Sequence, residues 1–228
     1  FSLAYTMMGG IEAVAWTDAL QVVVLIGAAI AVLSITYAHL PGSLSSIIST
    51  TAAEGKFDLG STAFDLRQPT LWTVLIATVF TNMTTYGTDQ TIVQRYMTTS
   101  TMKEARKGVY VNAALTIPVT VIFFLTGTAI WVFYHYHPAE LSLSVQDPDA
   151  ILPWYISNEL PTGVLGLVIA GIFAAAMSTL SSSMNSAATA FVNDIYVKIA
   201  SKKKDGTGLL RLARIVTLII GIIGILFA

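Results

Sequence analysis

Five apolar stretches, at about 11–40, 71–97, 109–136, 161–190 and 209–228, constrain this chain more than any other feature. Each is long enough to cross a bilayer, which takes roughly 20 residues as a helix. In hydrocarbon, a helix pairs all of its backbone N–H and C=O groups internally, so the fold class that follows is all-α integral membrane. Composition agrees, with 54% hydrophobic and 11% charged residues, against about 25% charged in soluble domains. There is no cysteine, which excludes disulfides and thiolate metal sites. His39, His135 and His137 fall at expected helix ends, which argues against imidazole ligation or a deep proton relay. The chain opens on Phe1 and stops at Ala228 within an apolar run, with no signal-peptide pattern. The expectation is a single piece, 1–228, of a larger membrane protein.

Residues 1–8 read as the end of a preceding span and Gly9-Gly10 as a tight connection. Pro41-Gly42 ends the first span, and 43–70 is a polar loop with one short helix. The second span is interrupted between Thr84 and Gln90, and the third carries Pro118 and Gly127. A short surface helix is expected within 147–160. The fourth span continues to Ile199 and bends near Asn185. Basic residues cluster on alternate connections: Arg95, Lys103, Arg106 and Lys107, then Lys198, Lys202, Lys203, Lys204, Arg211 and Arg214. The opposite loops hold only Lys56 and Arg67. The positive-inside rule therefore puts 95–108 and 198–214 in the cytoplasm, with 41–70 and 137–160 outside. The lysine run needs no nucleic-acid partner; its partner is the lipid bilayer.

Within the fourth span Ala175, Ser178, Thr179 and Ser182 recur at i, i+3, i+4 and i+7 and share one helix face, which Ser181 and Asn185 widen. Hydroxyls at membrane depth need partners. Two readings stay open: close packing of small residues against another helix, or an oxygen cage for a small hard cation. Asp18 is a carboxylate inside the first span, where it costs about 3 kcal/mol on insertion scales. Trp16 nearby allows an interfacial position, but intramembrane carboxylates more often mark ion or proton paths. Asp89 and Gln90 either cap a resumed half-helix or, with Asn82, border a cavity where a broken helix exposes its backbone. The Gln94-Arg95 pair reads as an anchor at the cytoplasmic end.

Three groups of residues carry a resemblance. They are Gly9-Gly10, Ala13-Val14, Trp16-Thr17-Asp18 and Gln21; Tyr86-Gly87-Thr88-Asp89-Gln90 with Val93-Gln94-Arg95; and Ser178-Thr179-Leu180 with Asn185-Ser186. In this order, across nearly the whole chain, they resemble the sodium/solute symporter family of sodium-coupled sugar, inositol, sialic acid, proline, iodide and vitamin transporters. The resemblance implies an inverted-repeat secondary transporter with five helices in each repeat. This chain would supply the last helix of the first repeat and the first four of the second.

By that resemblance the main sodium site uses the carbonyl of Ala175 and the hydroxyls of Ser178 and Thr179, completed by a helix before Phe1. A second sodium would take Asp18, Ser178, Ser181 and Ser182. The solute would lie by the break, at Asn82, Thr85, Tyr86, Asp89 and Gln90, with Thr116 on the next span. Asn82 matches the asparagine of the sugar carriers. Thr85 stands where they have a tyrosine gate, and Thr116 near a lysine position, which weakens a simple hexose reading.

The expected function is import of a small polar solute (sugar, inositol, sialic acid or carboxylate) coupled to sodium. No organic cofactor is expected, and the setting is the inner membrane of a bacterium. The rival is an ion channel with a hydroxyl-lined pore. An enzyme is not expected, because no spanning histidine or lysine stands ready as a base and the GxSxG pattern is absent.

Overall fold

The computed structural model describes residues 1–42, 44–58, 60–142, 147–199 and 206–227. Its elements are α1 (Ser2–His39), α2 (Leu44–Ala53), α3 (Leu71–Thr88), α4 (Gln90–Met97), α5 (Met102–Tyr136), α6 (Ile151–Asn158), α7 (Thr162–Ala190), α8 (Val197–Ile199) and α9 (Gly206–Phe227). Short 3-10 turns occupy Pro138–Glu140 and Pro148–Ala150. Among the described residues four helical stretches are long and apolar enough to cross a membrane: Ser2–His39, Met102–Tyr136, Thr162–Ile199 and Gly206–Phe227. The segment at Leu71–Thr88 is not one of them, because its end, Thr81-Asn82-Met83-Thr84-Thr85-Tyr86, is polar.

Gly9-Gly10 joins two helical segments of α1 across a kink, as expected, with Gly10 leaving helical geometry at φ 56° and ψ −146°. That left-handed φ suits a residue without a Cβ. Two other local expectations are corrected. The break in the second span is confined to Asp89; Thr84, Thr85, Tyr86 and Gly87 remain helical. In an apolar setting the helix keeps its backbone bonds, and the Thr88 hydroxyl is satisfied within it, on Thr84 O at 2.8 Å. In α7 the helix is continuous through Asn185, and the irregularity falls later, as a π-helical turn over Phe191–Tyr196. Lys202, Lys203 and Lys204 lie outside the described residues.

The chain divides into two compact units. One comprises Val24–Thr81 and Val109–Gly171. Its core gathers Ala28, Val32, Ile130, Phe133, Tyr155 and Val168. Phe133 and Tyr155 meet edge-on with centroids 5.2 Å apart, a favoured aromatic geometry. A Cβ at Gly171 would come within 3.1 Å of Ala28 Cβ, so α1 and α7 approach closely there, as small residues permit. The α2 segment is pinned to α5 by Thr50 on Tyr136 at 3.2 Å and by Lys56 Nζ 4.4 Å above the Trp131 ring.

The other unit comprises Phe1–Val23, Asn82–Gly108 and Ile172–Ala228. Its apolar cluster is Ala188, Val192 and Val216, with Leu209, Leu212, Ala213 and Ile220 against it. The segment before the kink packs on α9, where a Cβ at Gly221 would meet Leu3 Cδ1 at 2.4 Å. Arg214 Nη2 donates to Met8 O at 3.2 Å and Tyr5 Oη to Met177 O at 3.4 Å. This unit contains Asp18, α4 and the hydroxyl face of α7.

Candidate ion and solute site

The α7 face is buried over only part of its length. Ser181 and Ser182 are buried, as are Asn185 and Ser186 one turn on. Thr179 Oγ1 donates to Ala175 O at 3.0 Å and Ser181 Oγ to Ser178 O at 3.0 Å. These bonds satisfy the hydroxyl protons inside the helix and leave oxygen lone pairs for a donor or a cation. Ala175 and Ser178 are half-buried and Thr179 is exposed.

Asp18 lies on α1 with 6% of its surface exposed. Its Oδ2 accepts from Ser182 Oγ at 3.3 Å and from Arg95 Nη2 at 2.5 Å. The same Nη2 donates to Ser182 Oγ at 2.8 Å. Carboxylate, hydroxyl and guanidinium nitrogen thus form a closed triangle joining α1, α7 and α4. Asp18 Oδ1 and Gln21 Oε1, one helical turn apart on α1, are both buried and accept no hydrogen bond. Of the residues expected at a second sodium site, Asp18 and Ser182 are joined directly. Ser181 stands beside them with its proton directed to Ser178 O, and Ser178 is half-buried.

Arg95 and Gln94 correct the expectation of an anchor at the helix end. Gln94 Nε2 donates to Thr189 Oγ1 at 3.0 Å, its Oε1 accepts from Asn185 Nδ2 at 3.1 Å, and Thr189 Oγ1 donates to Asn185 O at 2.8 Å. Gln94 therefore spends both ends of its amide on α7, and gives the Asn185 side chain a partner outside its own helix. The sequence signal for these partners was the need of Asp18 for a countercharge in an apolar span.

At the break, Asp89 adopts an extended conformation and caps α4, accepting from Thr91 N at 2.7 Å. Gln90 begins α4. Thr85 and Tyr86 are half-buried and Asn82 is exposed on the last turns of α3. Thr116 belongs to the other unit, exposed on α5, with its hydroxyl on Asn112 O at 2.8 Å. Among the described residues no three of His, Cys, Asp and Glu cluster to hold a metal ion. A cation here would be held by hydroxyls, carbonyls and one carboxylate, the oxygen donors that suit hard ions.

Bilayer-length helices around a buried, paired carboxylate define an integral membrane protein. A model of the Sodium:solute symporter family matches residues 1–228, and the chain belongs to that family. It is 34% identical over 227 residues to the sodium/sialic acid symporter of Proteus mirabilis (strain HI4320), covering 99% of this chain and 46% of that protein. It is 35% identical over 224 residues to the sodium/sialic acid symporter of Aliivibrio fischeri (strain ATCC 700601 / ES114), covering 98% of this chain and 44% of that one. A solved structure described as the substrate-bound outward-open state of a Na+-coupled sialic acid symporter, revealing a novel Na+ site, matches with a TM-score of 0.91. Its identity to this chain is 34%, over 97% of this chain and 46% of that one. The chain thus spans just under half the length of these relatives.

Proposed function

We propose that these residues form part of a sodium-coupled symporter that imports a small polar solute by alternating access. The observation that carries the reading is the bond from Ser182, on the α7 hydroxyl face, to the buried carboxylate of Asp18 on α1. The family membership and the named activity of the relatives support that reading. Sodium at the main site takes the Ala175 carbonyl and the hydroxyls of Ser178 and Thr179, tethering α7 to a helix outside this chain and favouring the outward-open state. A second sodium takes Asp18 with Ser178, Ser181 and Ser182. The solute lies beside the break, at Asn82, Thr85, Tyr86, Asp89 and Gln90; Thr116, on α5, is the remaining proposed solute residue. Sialic acid and other polar sugars or carboxylates are the class the relatives support.

The proposed architecture is the inverted repeat, with α1 closing the first five-helix repeat and α3–α4, α5, α7 and α9 opening the second. The basic connections face the cytoplasm of a bacterial inner membrane. Sodium release on that side loosens the tether and frees the solute. Each sodium that crosses 100 mV adds about 2.3 kcal/mol to the attainable solute gradient, so two ions concentrate the solute far more steeply than one.

The test is Ser178→Ala and Thr179→Ala in the full-length protein, reconstituted and assayed for uptake of labelled sialic acid against sodium concentration. Each removes one ligand oxygen and little volume, so half-saturation for sodium rises about tenfold, equivalent to about 1.4 kcal/mol. Wild-type sodium activation in both variants overturns the main-site assignment.

A further inference from the structure

We infer that Arg95 is the resident cation of the Asp18 site, and that sodium enters it by exchange with the guanidinium rather than by addition. The inference rests on the symport reading and concerns how that second site is emptied and filled. A carboxylate as buried as Asp18 stays ionised only with a positive charge beside it. Arg95 supplies it with one nitrogen, which touches both Asp18 Oδ2 and Ser182 Oγ. A guanidinium placed to lock two helices permanently grips both carboxylate oxygens with its fork. Here Asp18 Oδ1 has no donor, and neither has Gln21 Oε1 one turn away. The grip is single-handed and leaves two buried acceptors for an incoming ion.

The two partners are also unequal. The Asp18 side chain is 8% exposed and that of Arg95 is 46% exposed. Withdrawing the guanidinium therefore moves a charge already near solvent, while the carboxylate stays where it is. Sodium and guanidinium each carry one positive charge, and both together at one carboxylate repel. Exchange keeps the buried charge balanced at each step. It also reports ion occupancy to α4, the half-helix that resumes just after the solute break: with Arg95 displaced, the side-chain hydrogen bonds from α4 to α7 among the described residues are those of Gln94. Arg95 is thus a positioning residue that couples the second ion to the broken helix.

The experiment measures equilibrium binding of 22Na+ to the purified full-length protein, with choline holding ionic strength constant. It compares wild type, Arg95→Gln, Arg95→Lys and Asp18→Asn. With the competitor removed, Arg95→Gln keeps two sodium sites and binds the second about fivefold more tightly, the weight of one partly exposed pair of about 1 kcal/mol. Arg95→Lys, compact and without the fork, falls between wild type and Arg95→Gln, and it decides the question if the glutamine variant does not fold. Asp18→Asn binds one sodium. Second-site affinity at or below the wild-type value in the Arg95 variants, with Asp18→Asn still losing one ion, overturns the exchange and leaves the site standing. One sodium in wild type and in Asp18→Asn alike overturns the second site itself.

Discussion

Gln94→Ala separates a helix-end anchor from a clamp. Gln94 reaches two residues of α7 at once, with its carbonyl oxygen on Asn185 and its amide nitrogen on Thr189. The two contacts are not equal. Thr189 keeps its donation to Asn185 O after the truncation, so only its acceptor side is emptied. Asn185 is buried and loses the acceptor of its Nδ2 hydrogens. A buried group left unpaired costs about 1–3 kcal/mol in water-soluble proteins, whereas side-chain hydrogen bonds between membrane helices average about 0.6. The membrane value for the two bonds alone sets the expected loss at about 1 kcal/mol or more, and the orphaned Asn185 raises it further. An exposed anchor changes stability by about 0.5 kcal/mol at most.

Reversible denaturation of the full-length protein in mixed micelles reads this difference, and a double-mutant cycle with Asn185→Ala isolates the contact. Truncating both residues leaves no orphan, so the coupling energy is about 0.6–1.5 kcal/mol. Gln94→Glu is the sharper control. A carboxylate still accepts from Asn185, but it cannot donate to Thr189, whose own proton is already committed. Two acceptors then face one another, and the variant is no more stable than Gln94→Ala. A coupling below about 0.3 kcal/mol, with Gln94→Ala inside the range of surface residues, refutes the clamp.

Asp89→Ala removes the cap of α4 and costs about 1 kcal/mol, seen as faster amide exchange at Thr91 and below, while Asp89→Asn keeps the cap; equal exchange in the two variants refutes the capping role. Glu159, outside the spans, has its carboxyl pushed up by burial first and then by Glu140, with His39 and His137 pulling partly back. An acid raised on folding lends stability that is full below its unfolded pKa and lost as pH rises through the folded one. Glu159→Gln therefore gains stability relative to wild type between about pH 4 and about pH 7, and a constant difference in thermal unfolding at the two pH values refutes it.

Hydropathy made the long helices legible because the bilayer imposes one length and one pairing rule on whatever crosses it. The same rule explains the errors at the breaks. Thr84, Thr85 and Gly87 are weak helix formers in water, yet in an apolar setting a helix keeps its backbone bonds unless a residue offers something better. Asp89 does so, by capping the next segment. A bend was expected near Asn185, but the irregularity falls later in the helix, and the Asn185 amide has a partner in Gln94, 91 residues earlier. Asp18 was legible as a charge in need of company. Its company was not, for a definite reason: Arg95 stands in a cluster of basic residues that the positive-inside rule already explains. That rule counts a charge by the position of its backbone. A guanidinium on a long flexible stem can stay half in solvent and still deliver one nitrogen to a buried carboxylate. One residue thereby serves sidedness and the site together, and a sequence reading that stops at the first sufficient explanation does not find the second.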